Sequence, residues 1–69
     1  MDKRDRFAVN LRRARETAGI SQEELAARIE VHRTEISLLE RGGREPRLGT
    51  MVKLAVALVD WAKGRGGKD

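Results

Sequence analysis

Two helix-start signals follow each other within one short stretch, and this arrangement constrains the fold of the chain more than any other feature. Ser21 and Glu24 have the spacing of a capping box, in which each side chain satisfies a free backbone amide of the other residue. His32 and Glu35 repeat that spacing, although histidine is a weaker N-cap than serine. The stretch therefore predicts two short helices that are separated by a tight turn.

Apolar residues at helical spacing predict two further helices around this pair. The first runs from residue 4 to residue 17 and is followed by Gly19 as a left-handed end signal. Its predicted apolar stripe consists of Phe7, Leu11, Ala14 and Ala18. The last helix starts near residue 48, and residues 59–63 either continue it or add a short turn. Its predicted buried face consists of Leu48, Met51, Leu54, Ala55 and Leu58.

No part of the chain has the alternating pattern of a strand, so we expect an all-α fold. The helices form one domain over residues 4–63, which suits a chain of 69 residues. The last segment, residues 64–69, is rich in glycine and charge, and we expect it to be a disordered tail.

The composition favours a nucleic-acid partner and argues against an enzyme. A net charge of +4 and a pI near 10.3 suit a polyanion. The chain has no Cys and one His, so we expect no disulfide, no metal site, no cofactor, no small-molecule ligand and no catalytic residue. No signal peptide is visible and no apolar run approaches the ~18–20 residues that span a bilayer, so we expect an intracellular protein.

Three pieces of the chain carry a resemblance that spans about three quarters of its length. They are LRRARETAGISQEELA at residues 11–26, HRTEISLLERG at residues 32–42, and Pro46 and Leu48 followed by VKLAVAL at residues 52–58. Together they resemble the Cro/cI-type (XRE) helix-turn-helix family of bacterial and phage regulators. The HRT-x-I core is also similar to the recognition helix of restriction–modification controller proteins.

The resemblance implies a compact bundle of four or five helices of the lambda-repressor-like type. In that motif the second helix enters the major groove of DNA, and its first residues meet base edges. The implied function is sequence-specific transcriptional regulation, and we expect a repressor that binds a palindromic operator. The expected partners are double-stranded DNA and a second copy of the chain, with no membrane. The expected setting is the cytoplasm, and the expected source is a bacterium or a phage.

The resemblance also assigns roles to individual residues. The candidates for base contacts lie in the second motif helix: His32, Arg33, Thr34 and Leu38. The candidates for contacts with the DNA backbone begin the first motif helix or follow the second: Gln22, Arg41, Arg44 and Arg47. A buried ion pair is expected between Arg15 and Glu40. The candidates for the dimer interface are Leu58, Val59 and Trp61.

The chemistry of the residues leaves several of these roles open. A cation in the first turn of a helix opposes the helix dipole, which favours a DNA contact for Arg33 over a solvated charge. His32 is either a contact or a weak cap, and the arginines of the following loop are either phosphate contacts or solvated charges. Glu35 is favoured as the capping partner of His32, with recognition of cytosine as the alternative. Trp61 either fills a gap in the core or belongs to a dimer surface.

Three features depart from the family pattern. Glu30 stands in the turn between the motif helices, where the family has glycine, and a left-handed backbone there costs on the order of 1–2 kcal/mol. Leu38 cannot hydrogen-bond a base, although it can pack on a thymine methyl group. After Leu58 the usual fifth helix is shortened to VDWAKG, which puts the family's dimer mode in question.

The alternative function is an antitoxin or a protein-binding adaptor that uses the same bundle. The feature that separates the two functions is the basic frame formed by Gln22, Arg33, Arg44 and Arg47. An adaptor has no reason to aim these residues at a duplex, so the sequence favours the DNA-binding regulator.

Overall fold

The structure, a computed structural model, describes residues 2–66, and side chains as far as residue 64. These residues form four helices: α1 (Lys3–Ala18), α2 (Gln22–Ile29), α3 (Arg33–Glu40) and α4 (Leu48–Gly66). Residues 2–66 contain no strand, so the predicted all-α fold is confirmed. None of the four helices has both the length and the apolar character that crossing a bilayer would require.

Local capping sets the ends of α1 and the start of α2. The Asp2 side chain accepts a hydrogen bond from the backbone amide of Arg4, and Gly19 ends α1 in the left-handed conformation at φ 75°. Ser21 and Glu24 form the predicted capping box, in which both side-chain-to-amide bonds are present. The contacts of Gly19, Ser21 and Glu24 confirm the signals that the sequence offered, whereas the Asp2 cap was not predicted. Each contact satisfies backbone groups that a helix terminus leaves free.

The turn between α2 and α3 contains the one non-glycine residue of the described chain with a positive φ. Glu30 lies at φ 61° and ψ 45°, and its backbone amide donates to the carbonyl of Ala27. The amide of Val31 donates to the carbonyl of Ala26, which completes a helix end of the Schellman type. The turn therefore keeps the geometry that glycine would favour, and Glu30 bears a strain on the order of 1–2 kcal/mol.

The core lies where α3 packs on α1 and α2, with α4 closing the open side against the same two helices. Leu25, Ile36 and Leu39 have fully buried side chains. Around them are the remaining buried members of the cluster: Leu11, Ala18, Ile20, Ala26, Ile29, Leu54 and Ala57. α3 is therefore held in the core by its own Ile36 and Leu39, while its first turn stays exposed.

The predicted apolar faces of α1 and α4 were partly wrong. Ala14 is exposed, whereas Ala8 is buried in α1. In α4 the buried residues are Leu54 and Ala57, with Leu58 and Trp61 half-buried. The other three predicted residues are exposed: Leu48 (77%), Met51 (41%) and Ala55. They lie on the flank of α4 next to the buried stripe, so the docking angle of the helix, which spacing alone does not define, leaves them in solvent.

α4 is one continuous helix. It extends through residues 59–63, which contain neither proline nor glycine, and on to Gly66. The tail was predicted to begin at residue 64, whereas residues 64–66 belong to α4. The remaining tail, residues 67–69, lies outside the described residues.

Candidate nucleic-acid interface

The first turn of α3 is exposed, and it begins with a histidine cap. The Nδ1 atom of His32 accepts a hydrogen bond of 3.1 Å from the backbone amide of Thr34. An accepting Nδ1 implies the neutral imidazole with its proton on Nε2, which leaves one N–H donor for another partner. The side chains of His32, Arg33 and Thr34 are all exposed. This turn therefore offers donors of three different geometries to a ligand that approaches the end of the helix.

Leu38, the fourth candidate for a base contact, is half-buried under the loop that follows α3. A Cβ atom on Gly43 would lie 3.3 Å from its Cδ2 atom and 3.5 Å from its carbonyl oxygen. The loop passes close to this side chain and limits what Leu38 can contact. Leu38 therefore lies in the same helix as the exposed first turn, but its side chain is less accessible.

Glu35 has a different partner from the one favoured by the sequence. Its Oε1 atom accepts a hydrogen bond of 2.5 Å from Nη1 of Arg44, and the box of α2 has no counterpart at the start of α3. The interpretation of Glu35 as the capping partner of His32 was therefore wrong. A guanidinium is a stronger donor than a backbone amide, and the loop after α3 brings one within reach of Glu35.

A polar network at the last residue of α3 ties together α1, α2 and α3. Nε of Arg15 lies 2.5 Å from Oε2 of Glu40, and Nη2 lies 3.1 Å from Oε1. Nη1 of Arg15 also donates to the carbonyl of Ile20 at 2.8 Å. The Arg15 and Glu40 side chains are 13% and 4% exposed, so water screens the pair only weakly.

The network also stabilises the charged state of its arginine. The hydrogen bond to Glu40 raises the pKa of Arg15 above its ordinary value, against the opposing effect of burial. Because that value is already far above neutral, Arg15 stays charged wherever the domain folds. An ordinary rise in pH therefore does not break the ion pair by deprotonating Arg15.

Gln22 belongs to this network, in a role that sequence reasoning missed. Its side-chain Nε2 donates to Oε1 of Glu40 at 3.1 Å. The spacing in the sequence contained no signal for that contact, since it joins residues of α2 and α3. Within the described chain, the backbone amides of Gln22 and Glu23 have no recorded acceptor, as expected at the start of a helix. They lie beside a polar depression whose lining also includes Arg15, Ser21 and Arg33.

The loop arginines differ in their contacts. Arg41 donates from Nε to the carbonyl of Ser37 at 3.3 Å, whereas Arg44 is paired with Glu35. Arg47 is exposed, and its carbonyl accepts from the amide of Met51 at the start of α4. Among residues 2–66, Arg33, Arg41 and Arg47 have no ion-pair partner. Three unpaired cations thus lie in α3 and the loop after it.

The three candidates for a dimer interface are not equivalent. Leu58 and Trp61 are half-buried and pack against the core, whereas Val59 is 55% exposed. The guanidinium of Arg28 lies 5.6 Å from the centre of the Trp61 ring, and Nε1 of that ring is buried without an acceptor in the described residues. Trp61 therefore packs against the core of a single chain.

The comparisons with known proteins agree with this geometry. A family model described as "Helix-turn-helix" matches residues 11–58. The chain belongs to the helix-turn-helix family, in its Cro/cI-type (XRE) group. It is 45% identical over 56 residues to the HTH-type transcriptional regulator y4dL of Sinorhizobium fredii, which covers 81% of this chain and 29% of that protein. It is 41% identical over 58 residues to the HTH-type transcriptional regulator y4dJ of the same organism, which covers 84% of this chain and 75% of that protein. No solved structure matches the chain significantly.

Proposed function

We propose that this chain is a sequence-specific DNA-binding transcriptional regulator, and that it represses transcription by occupying a palindromic operator. The observation that carries the proposal is the contrast within α3. Its first turn exposes His32, Arg33 and Thr34, while Ile36 and Leu39 anchor the same helix in the core. A rigidly held helix with a polar, exposed N-terminal end has the form of a recognition helix for the major groove.

Each exposed side chain of the first turn suits a particular kind of base edge. Arg33 can donate two hydrogen bonds to O6 and N7 of guanine, the commonest specific contact in the major groove. His32 brings an Nε2–H donor, which suits an acceptor such as N7 of a purine. Thr34 brings a hydroxyl group and a methyl group, and the methyl group can pack on thymine. Together these side chains can distinguish adjacent base pairs.

The DNA backbone would be held on both sides of α3. On one side, the free amides of Gln22 and Glu23 at the start of α2 suit a phosphate, with Arg33 lining the same depression. On the other side, Arg41 and Arg47 are exposed cations of the loop region. Because the Gln22 side chain is engaged by Glu40, we assign its phosphate contact to its backbone amide.

A symmetric homodimer supplies the second half-site. One chain has a single α3, so two copies are needed to read successive major grooves about 34 Å apart. The surface we assign to the second copy is the exposed stripe of α4, formed by Val52 (54%), Val56 (63%) and Val59 (55%). This choice keeps Val59 from the original candidates and leaves Leu58 and Trp61 in the core.

The charges beside this stripe suit a second copy of the same helix in the antiparallel direction. Lys53 and Asp60 lie two turns apart on one flank of the valines. A two-fold axis near Val56 brings Lys53 of each copy opposite Asp60 of the other, as in an isologous interface. Asp60 already contacts Arg28 within its own chain, so the two carboxylates at the interface would lie among four cations.

Selection of bound duplexes from a random pool tests the proposal. The expected result is a palindrome with half-sites roughly one helical turn apart, about 34 Å. Failure to retain any duplex at low salt would contradict it and would favour the protein-binding adaptor or antitoxin. Enrichment of single half-sites would keep the DNA-binding role and overturn the dimer.

A further inference from the structure

The loop after α3 is folded back so that Arg44 lies against the first turn of the same helix. Its path is defined by close approaches of the backbone. Gly42 has a φ of +72°, and a Cβ atom there would lie 2.7 Å from Oδ1 of Asp5 in α1. Gly43 lies against Leu38 in the same way. The contact of Arg44 with Glu35 therefore follows from the course of the loop as well as from charge.

This contact makes Arg44 different from the other cations near the recognition helix. It is 2.5 Å from Glu35 and its side chain is 53% exposed, whereas Glu35 is 23% exposed. Within residues 2–66, Arg33, Arg41 and Arg47 have no carboxylate partner. The pair thus neutralises one arginine of the basic frame and holds a carboxylate in the first turn of α3.

We propose that Glu35 is a selectivity-determining residue for DNA binding and that Arg44 is its positioning counterion. The inference rests on the proposed function. With Arg44 paired, one cation fewer is available to phosphates, which lowers affinity for every sequence. The second carboxylate oxygen of Glu35 remains an acceptor and is repelled by base edges that also present acceptors. It suits the amino group of cytosine, so the pair raises selectivity by penalising the wrong sequences.

The test compares four variants with the wild type on a mixed-sequence duplex and on the selected operator, at several salt concentrations. The variants are Glu35→Gln, Arg44→Gln, the double variant, and Glu45→Gln as the matched control. Glu45 is an exposed carboxylate next to Arg44, and its change removes the same charge without releasing an arginine. All three positions are at least partly exposed, and thermal melting checks that each variant folds as the wild type does.

We expect Glu35→Gln to tighten mixed-sequence binding roughly two- to five-fold, the range that an exposed ion pair allows. Its log–log salt slope should steepen by about 0.9, the value of one added phosphate contact. The ratio of operator affinity to mixed-sequence affinity should fall. In the double variant the added slope should disappear, because Arg44 supplies it. Glu45→Gln should leave the slope and the ratio close to those of the wild type.

Two results would overturn the inference. If Glu35→Gln behaves like Glu45→Gln, the pair has no role beyond general electrostatics. If the steeper slope persists in the double variant, Arg44 is not the released cation. Both results presuppose that the wild type binds the mixed duplex. A wild type that binds no DNA contradicts the proposed function itself, so the two failures are distinguishable.

Discussion

At the scale of single residues, the Glu40 side chain connects three helices by hydrogen bonds. It belongs to α3, and it accepts hydrogen bonds from Arg15 of α1 and from Gln22 of α2. Replacing Glu40 by Gln leaves the Arg15 charge almost buried and without its hydrogen-bonded carboxylate, which typically costs about 3–5 kcal/mol. For a domain of 69 residues that is a large part of its stability. Thermal melting of Glu40→Gln is the measurement, and we expect a strongly lowered Tm.

The matched control is Glu16→Gln, which breaks the exposed pair of Arg12 and Glu16 on α1. Its cost should stay below about 1 kcal/mol, since solvent screens that pair. If Glu40→Gln melts within a degree or two of the wild type, the network contributes far less than its burial indicates.

At the scale of elements, the turn between α2 and α3 stores strain that a glycine would release. Glu30 adopts a left-handed backbone at φ 61°, which is unfavourable for any residue with a Cβ atom. We expect Glu30→Gly to raise the free energy of unfolding by roughly 0.5–1 kcal/mol, because glycine's greater freedom in the unfolded chain offsets part of the gain. Denaturant titration of Glu30→Gly measures the change.

Glu30→Ala provides the control, since it removes the same charge and keeps the Cβ atom. An alanine variant as stable as the glycine variant would assign the gain to charge rather than to backbone strain.

Some features of the helices were predictable from the sequence, and others were not. The C-terminal end of α1 and the start of α2 were predictable because capping is local: Ser21, Glu24 and Gly19 each act within one turn of the backbone. The buried face of α4 was not, because a helix can rotate until one of several apolar flanks meets the core. Leu48 and Met51 are apolar and yet exposed.

The candidate site likewise contains features that the sequence predicts and contacts that it does not. The exposed turn at His32 follows from its own start signal and from the resemblance to the family. The ion-pair partner of Arg15 was implied by the resemblance alone. The contacts of Gln22 with Glu40 and of Arg44 with Glu35 join residues that are distant in sequence. The contact of Gln22 depends on how α2 packs on α3, and the contact of Arg44 depends on the path of a glycine-containing loop. Local spacing in the sequence predicts neither the packing nor the path.

At the scale of the whole molecule, the exposed valines of α4 should decide the oligomeric state on DNA. Val56 lies near the proposed two-fold axis, and Val56→Glu would bring two carboxylates face to face. Because Val56 is 63% exposed, the monomer should fold normally. Sedimentation of the operator complex should then show one chain per operator where the wild type shows two.

Val9→Glu is the control, since Val9 is 44% exposed on α1, away from the stripe of α4. It should leave the stoichiometry unchanged. A dimer that survives Val56→Glu would place the interface elsewhere on the bundle.

If the first turn of α3 reads bases, Arg33→Ala should weaken binding to the operator more than binding to other sequences. Its binding to the selected operator and to a mixed-sequence duplex is measured by titration, with Arg13→Ala as the control because Arg13 is an exposed arginine of α1. We predict that Arg33→Ala costs roughly 1–3 kcal/mol on the operator and markedly less on the mixed duplex. Arg13→Ala should preserve the ratio of the two affinities. An equal loss on both duplexes for Arg33→Ala would make Arg33 a phosphate contact and would contradict base reading by this residue.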